Sequence, residues 1–475
     1  MTGGRDAGVC VVGAGFAGLA VARELDVRGV PFACLDRGTG IGGLWSYSGG
    51  SAGPAYPSLR LNTSKGPTAF SWAAMPDAYP THPRHDQVAA YLDACAHAFR
   101  DRVELRTAVE HVRPHESGAW DVTTRDHRGA TRVRRFAHVV VAAGHHWTPR
   151  LPEPPIPGID SFPGPVVHTL DYHGADAYRG RRVLVQGLGN SACDIASDVS
   201  RVASSTVLSA RRGAHVVPRR LLGVPWDELR RRWWWTVLPF GARRLLVEAV
   251  LHARRGPLTA YGLPEPARRV LSEPLVVSDD LLEHIARGAI TVAPAVRGVD
   301  QATVHFADGT SRAFDAVVHC TGYRPDTTLV PREVLCRADG RIALYLRIIP
   351  PHRPGLYFAG LVRGIVHPLG ALTPVFEAQA RWIADVIRGA ITTPDPPTMT
   401  TEIDAHLTHT AHLHGTAPAA PLHIDVPHYL RTLHDQSRPR RAPRTREHDQ
   451  STFAQPHTTR SPWRQEADRG AHRPT

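Results

Sequence analysis

The stretch Val9-Cys10-Val11-Val12-Gly13-Ala14-Gly15-Phe16-Ala17-Gly18 passes from four apolar residues into a glycine-rich turn, and an apolar helical pattern follows from Leu19 to about Arg28. Pro31-Phe32-Ala33-Cys34-Leu35 is a second short apolar run, ending at Asp36. Short apolar runs bounded by turn residues fit strands buried on both faces, and a helix between two of them fits a parallel βαβ crossover. In the G-x-G-x-x-G turn, glycine permits a tight bend and lets backbone N–H groups at the helix N-terminus approach a pyrophosphate. One such turn alone is a weak signal. Strand, turn, helix, strand and closing acid in the right order make it a dinucleotide-binding unit.

The same grammar returns with strand Arg182-Val183-Leu184-Val185, turn Gly187-Leu188-Gly189-Asn190-Ser191-Ala192, a helix through about Val202, and strand Thr206-Val207-Leu208-Ser209. Between the two units lie an apolar strand, Ala137–Ala143, ending in Gly144, and a Pro-rich linker from Pro149 to Pro165. Strand-and-turn patterns recur at Phe314–Tyr323 and Gly355–Gly360. The chain is expected to return to the first unit near residue 325. The fold class expected is α/β, with two Rossmann-like dinucleotide-binding domains, the second inserted into a discontinuous first. The boundaries expected are 1–160 and 325–433 for the first domain and 161–324 for the second. Residues 434–475, rich in Arg, Pro, His and Gln, read as a disordered basic tail.

The residue closing the second strand of each unit selects the nucleotide. Asp36 can accept hydrogen bonds from an unmodified adenosine ribose, so the first unit is expected to hold FAD, with Arg37 beside it. At the equivalent place in the second unit, just after Ser209-Ala210, stand Arg211 and Arg212, whose guanidiniums could clamp a 2′-phosphate. NADPH is therefore favoured over NADH there.

Composition narrows the alternatives. A chain of 475 residues with 42% hydrophobic residues can bury a large core. Its net charge of +12 is spread along the chain and not gathered into one block with interleaved aromatics, so nucleic acid is not an expected partner. The cysteines Cys10, Cys34, Cys95, Cys193, Cys320 and Cys336 contain no CxxC pair. That fits a reducing cytosol and argues against dithiol flavoprotein reductases. The first apolar run enters the glycine turn directly, which leaves no room for a signal peptide, and no stretch approaches the ~20 apolar residues of a membrane span. The chain has one lysine, Lys65, and two asparagines, Asn62 and Asn190.

Trp226, Trp233, Trp234 and Trp235, interrupted by Arg230, Arg231 and Arg232, mark an insertion between Pro225 and Val250. Packing over the nucleotide domain, or walling a substrate passage, is favoured over contact with a membrane surface.

Phe162-x-Gly164-x-x-x-His168-x-x-x-Tyr172, between the two units, resembles the fingerprint of the flavin-containing monooxygenases. Gly42-Gly43-Leu44-Trp45, Leu61-Asn62-Thr63-Ser64-Lys65, Gly144-His145-His146, Gly189-Asn190-Ser191 and Cys320-Thr321-Gly322-Tyr323 resemble that family too, from Val9 to about Leu433. The lysine and both asparagines fall inside these segments. The resemblance implies that NADPH reduces the flavin, that O2 adds to the reduced ring, and that the resulting C4a-hydroperoxide passes its outer oxygen to a soft N or S nucleophile. It implies Asn62 as the catalytic residue. The cofactor contacts it implies are Gly13, Gly15, Phe16, Ala17, Gly18, Gly43, Leu44, Trp45, Leu61 and Thr63 on the flavin side. On the NADP side they are His168, Gly187, Gly189, Asn190, Ser191, Ala192, Cys193 and Asp194, and Asn62, Thr321, Gly322 and Tyr323 are cofactor contacts assigned to neither side. His168 and Tyr172 are placed as interdomain linkers that help seat NADP, with simple packing or a carbonyl bond an equal reading of His168. Lys65 is a candidate for orienting the Asn62 loop through backbone carbonyls.

Related Baeyer-Villiger enzymes carry Trp at the last fingerprint position, so Tyr172 favours N- or S-oxygenation. Baeyer-Villiger oxygenation of a ketone, an NADPH oxidase, and a nucleotide-binding scaffold with a basic tail are the rival readings. The substrate, beyond a small organic molecule used with O2, stays open, as does oligomeric state, a homodimer included.

Overall fold

Ten short strands form two separate parallel five-stranded sheets, and both glycine turns leave the central strand of their sheet. The computed structural model describes residues 8–47, 53–229, 232, 235, 237–272, 275–325, 328–365, 370–414 and 420–437. The first sheet has the order Leu356–Phe358, His138–Val141, Val9–Val12, Phe32–Leu35, Val103–Glu104. Helix α1, Phe16–Val27, begins right after Gly15, three residues before the apolar pattern alone indicates, because the turn glycine itself ends the extended backbone.

The second sheet has the order Ile290–Ala293, Ser205–Ser209, Arg182–Gln186, Ala316–His319, Val166–His168. Helix α2, Asn190–Val199, follows its glycine turn. In both sheets the strand order reverses beside the central strand, the place where parallel α/β sheets open a crevice at their carboxyl ends. The sequence order makes the nesting plain: all strands of the second sheet fall between residues 166 and 319, whereas the first sheet is completed by Leu356–Phe358. The two crossings pair with each other, Thr148-Pro149 running antiparallel to Tyr323-Arg324. Arg150 N–H donates to the Gly322 carbonyl at 2.9 Å, so the exit and return form one ribbon.

The insertion has an apolar core of its own. Trp226 begins the short helix α3, Trp226–Leu229, and is 1% exposed; Trp235 is 2% exposed. They pack with Leu221, Leu229 and with Val247 and Leu251 of helix α4, Phe240–Arg255. These two tryptophans are therefore buried in the segment's own core, while Trp233, Trp234, Arg230 and Arg231 lie outside the described residues. No helix among the described residues is long and apolar enough to cross a membrane.

After the return, helix α5, Thr373–Ile387, packs against α1, and helix α6, Val426–Gln436, closes over it. Helix α6 corrects the start of the expected tail: Asp425 caps it by accepting from His428 N–H, and Leu433 is 1% exposed. The three residues read as the head of a disordered segment thus continue a packed helix. The remainder of that segment, 438–475, lies outside the described residues.

Candidate functional site

The two glycine turns are built alike. Gly13 N–H donates to Leu35 O at 2.8 Å and Gly187 N–H to Ser209 O at 2.9 Å, so each turn is tied to the strand that follows its helix. Both glycines have positive φ, +106° and +128°, and a Cβ would come within 2.6 Å of Ala142 O or 2.4 Å of Cys320 O. Only glycine fits where the turn presses on the neighbouring strand and its backbone is left-handed. Gly18 is tighter still, for a Cβ there would lie 1.8 Å from Gly13 O. Beside Gly189, by contrast, nothing stands within 4 Å, and α2 presents its first N–H groups to that open space.

Gly42-Gly43-Leu44-Trp45 docks on the first turn. Gly42 N–H donates to Ala14 O at 3.1 Å, and a Cβ on Gly43 would meet Gly15 Cα at 3.0 Å. Both Asp36 oxygens are engaged, one by Ala14 N–H and one by Gly38 N–H, each at 2.6 Å. A carboxylate offers about four lone-pair sites, so acceptor capacity is left for a ribose hydroxyl. Arg37 lies 4.0 Å over the Trp147 ring. In the second unit, exposed Arg211 and Arg212 follow buried Ala210 and have no ion pair among the described residues.

The Asn62 loop is held from several directions. Lys65 donates to the carbonyls of Pro76, Asp77 and Tyr79 at 3.1, 2.9 and 2.9 Å, the kind of bonding anticipated for it. Thr68 donates to Ser64 O and is bonded to Thr63, and α5 contributes Thr373, which donates to Thr68 O. Ser64 donates through both its N–H and its hydroxyl to Asp227 on α3, at 2.7 and 2.9 Å. Upstream, Tyr56 donates to Asp194 and Ser58 to Asp198, both on α2, and Tyr172 donates to Asp198 at 2.8 Å. The loop thus touches α5, the insertion and the second nucleotide unit. Within this bracing Asn62 Oδ1 is buried and has no hydrogen-bond partner among the described residues. A buried acceptor left unpaired costs about 1–3 kcal/mol, which the fold tolerates where a ligand supplies the donor.

The model for the family described as FMO-like, flavin-binding monooxygenase-like, matches residues 6–438. The chain belongs to that family. Among curated relatives, flavin-containing monooxygenase 3 of Macaca mulatta is 34% identical over 83% of this chain and 76% of its own. Dimethylaniline monooxygenase [N-oxide-forming] 2 of Mus musculus is 31% identical over 90% of this chain and 81% of its own. Two solved structures share the fold: S-allyl-L-cysteine S-oxygenase from Allium sativum, and NADP+-bound cyclohexanone monooxygenase from Rhodococcus sp. Phi1. The first has TM-score 0.66 and 23% identity over 90% of this chain and 88% of that one. The second has TM-score 0.69 and 18% identity over 92% and 99%.

Several expected contacts of this flavin-binding monooxygenase face elsewhere. Cys193 N–H already donates to Gly189 O within α2, and its side chain is buried in the core. The Asp194 carboxylate, pushed up to about 6 by burial against the opposing pull of Arg219, is bonded to Tyr56. Asn190 Oδ1 accepts from Val277 N–H at 2.7 Å, tying α2 to the short strand Val276–Val277. Leu61 is 3% exposed in the first core. Thr321 spends its hydroxyl on Arg150 O. His168 has both ring nitrogens occupied, Nε2 donating to Gly322 O at 3.0 Å and Nδ1 accepting from Leu170 N–H at 3.2 Å. It braces the ribbon, in line with the carbonyl-bond reading.

Tyr323, His146 and His168, all marked by the sequence, gather here with two residues it did not single out, Arg363 and Asp227. Tyr323, whose buried hydroxyl has no partner among the described residues, packs edge-on against His146 and His168. Arg363, half-buried, donates to Tyr323 O, and burial with neighbouring Arg150 lowers its pKa. Asp227 had no sequence signal, since an acid in a tryptophan-rich insertion reads as solvated surface.

Buried imidazoles make stability pH-dependent. Burial lowers His145 well below its ordinary 6.5, lowers His168, and brings His319 to about 4. Such a group stays neutral in the fold but titrates near 6.5 in the unfolded chain. Its contribution is complete above that value and lost as pH falls toward the folded pKa. Going from about pH 7.5 to about pH 5.5, His145 and His319 should each remove roughly 1 kcal/mol, with His168 acting in the same direction. Asp194, raised to about 6, works the other way and offsets part of the loss below that pH. Urea midpoints at the two pH values should show the drop, and equal midpoints would contradict neutral burial.

Proposed function

We propose that this monooxygenase holds FAD on the turn at Gly13 and NADPH on the turn at Gly187, and places one oxygen atom of O2 on a soft nitrogen or sulfur of a small organic substrate. In this reading residues 1–160 and 325–433 carry FAD, and 161–324 carry NADPH. The observation that carries it is the buried, unpaired Oδ1 of Asn62, on a loop bonded to both nucleotide units. When bound, the two cofactors supply the redox chemistry, hydride from NADPH and activation of O2 at the flavin.

The chain's own residues then position and exclude. Asn62 brings an amide whose acceptor suits the nicotinamide carboxamide and whose N–H donors suit the reacting oxygen. The first N–H groups of α1 and α2, at Phe16–Gly18 and Ser191-Ala192, face the pyrophosphates, and Gly42–Trp45 walls the first turn. Lys65, Asp227 and Thr373 keep the loop still, and a preorganised, water-free pocket keeps activated oxygen from escaping as peroxide. Support for N- or S-oxygenation comes from the N-oxide-forming and S-oxygenase activities by which two of the relatives are named and from Tyr172, buried and bonded to Asp198.

The test is to purify the protein with FAD and supply NADPH, air and, separately, a tertiary amine, a sulfide and a cyclic ketone. Amine oxide or sulfoxide with one added oxygen is expected. An ester as the main product would transfer the chain to Baeyer-Villiger chemistry, and peroxide alone with every substrate would make it an oxidase. Replacing Arg211 and Arg212 together by Ala should raise KM for NADPH about 10–100-fold while leaving that for NADH unchanged, since each charge-assisted bond contributes about 1.5–3 kcal/mol. An equal effect on both nucleotides would remove the 2′-phosphate assignment.

A further inference from the structure

A cavity of about 830 Å³ lies off α2 and includes neither glycine turn nor Asn62. Its walls come from Ser58 and Arg60, from Thr81 and His82, from Ser197 on α2, and from the segments at Arg219-Arg220 and Ser278–Asp280. Five arginines and three aspartates border it, and the carboxylates are spent. Asp279 pairs with Arg219 at 3.1 Å, Asp280 with Arg201 at 2.9 Å, and Asp194 is bonded to Tyr56 and faces Arg219 at 3.8 Å. Arg84 pairs with Asp86, outside the lining. Arg220 donates only to the Thr81 hydroxyl among the described residues, and Arg60 has no ion pair among them. Two guanidiniums, one from each nucleotide unit, therefore border the cavity with no carboxylate of their own.

The lining also carries unmet polar atoms. Ser197 Oγ, on a residue 3% exposed, His82 Nε2 and Arg219 Nε are buried without partners among the described residues. Burial and the nearby Arg219 bring His82 to about 4, so its ring is neutral and can donate from one nitrogen. All three belong to residues of the lining, and leaving such polar atoms unpaired side by side is costly. The volume falls within the roughly 300–1,000 Å³ of small-molecule sites. Guanidinium forks match carboxylate and phosphate oxygens bidentately.

We propose that this cavity is a second binding site for a small oxyanion, a carboxylate or phosphate, held by Arg60 and Arg220 and seated on Ser197 and Arg219. The site is separate from both dinucleotide turns and does not depend on the cofactor assignments above.

The test is calorimetric titration of the full-length protein with succinate and, separately, with inorganic phosphate, each with and without saturating NADP+, at chloride-matched ionic strength. Succinamide is the uncharged control. One saturable site per chain is expected for at least one oxyanion, unaffected by NADP+ and absent with succinamide. Arg60→Gln combined with Arg220→Gln should weaken it by about tenfold or more, with flavin content and NADP+ affinity unchanged. Succinate alone binding would assign an organic acid, and phosphate alone a phosphate ligand. The site is overturned if neither anion saturates, if chloride matches the response, if NADP+ displaces the anion, or if binding survives the double substitution. Should that double variant not fold, Ser197→Ala replaces it and must weaken binding for the proposal to stand.

Discussion

A Gly18→Ala protein is expected to purify without its flavin colour. The new Cβ would sit 1.8 Å from Gly13 O, inside the turn that we assign to the FAD pyrophosphate. Contacts of that kind are relieved only by moving backbone, and overpacking in a well-packed region costs about 1–3 kcal/mol, or about 10–100-fold in an equilibrium constant. Here the atom to be moved is the carbonyl of the turn itself, so the loss should fall on flavin affinity first. The ratio of flavin to protein absorbance measures it, and circular dichroism checks that the chain has folded. Gly189→Ala is the comparison. Nothing stands within 4 Å of the added methyl, so flavin content should be retained and only the nucleotide of the second unit should bind more weakly. A yellow Gly18→Ala protein with full flavin content would sink the assignment of the first turn.

Asn62→Ala is expected to separate electron consumption from oxygen transfer. Removing one preorganised hydrogen-bonding group from a reacting centre typically costs about 10²–10³ in rate, and the loss should fall on substrate oxygenation. NADPH oxidation should continue, with its electrons recovered as hydrogen peroxide. Comparing product and peroxide per NADPH gives the answer, and unchanged coupling would remove Asn62 from the site. Asp227→Ala acts one step further out. It strips the acceptor from both the N–H and the hydroxyl of Ser64, each bond within 2.9 Å, two residues from Asn62. Partial uncoupling is expected, together with a stability loss of about 1–3 kcal/mol for each donor left buried. Asp227→Asn keeps one acceptor oxygen and should recover part of the coupling. Stability loss with full coupling would reduce Asp227 to a packing role.

The contrast between these residues shows which parts of the site were legible in advance. Gly13, Gly18 and Gly187 are demanded by backbone angles and by the closeness of a neighbouring strand, and such demands are written in consecutive residues. Asn62 and Lys65 stood out because their residue types are so rare in this chain. Cys193 and Asp194 were assigned by extending a motif along α2, but a helix turns about 100° per residue and carries them onto other faces. The head of the expected tail became helix because Val426, Tyr429 and Leu433 found buried seats that composition could not reveal.

By itself, then, the order of residues determined two βαβ units, the turn that opens each, the acid and the arginines that close their second strands, and the insertion of one unit in the other. All of these follow from short-range rules of strand alternation, helix period and glycine geometry. Tertiary structure alone decided that Asp227 would reach Ser64 across 163 positions, Tyr56 reach Asp194 across 138, and His168 spend a nitrogen on Gly322 across 154. Those bonds depend on where packed surfaces bring distant segments together. A carboxylate buried by a remote helix has the same letter in the chain as one left in water.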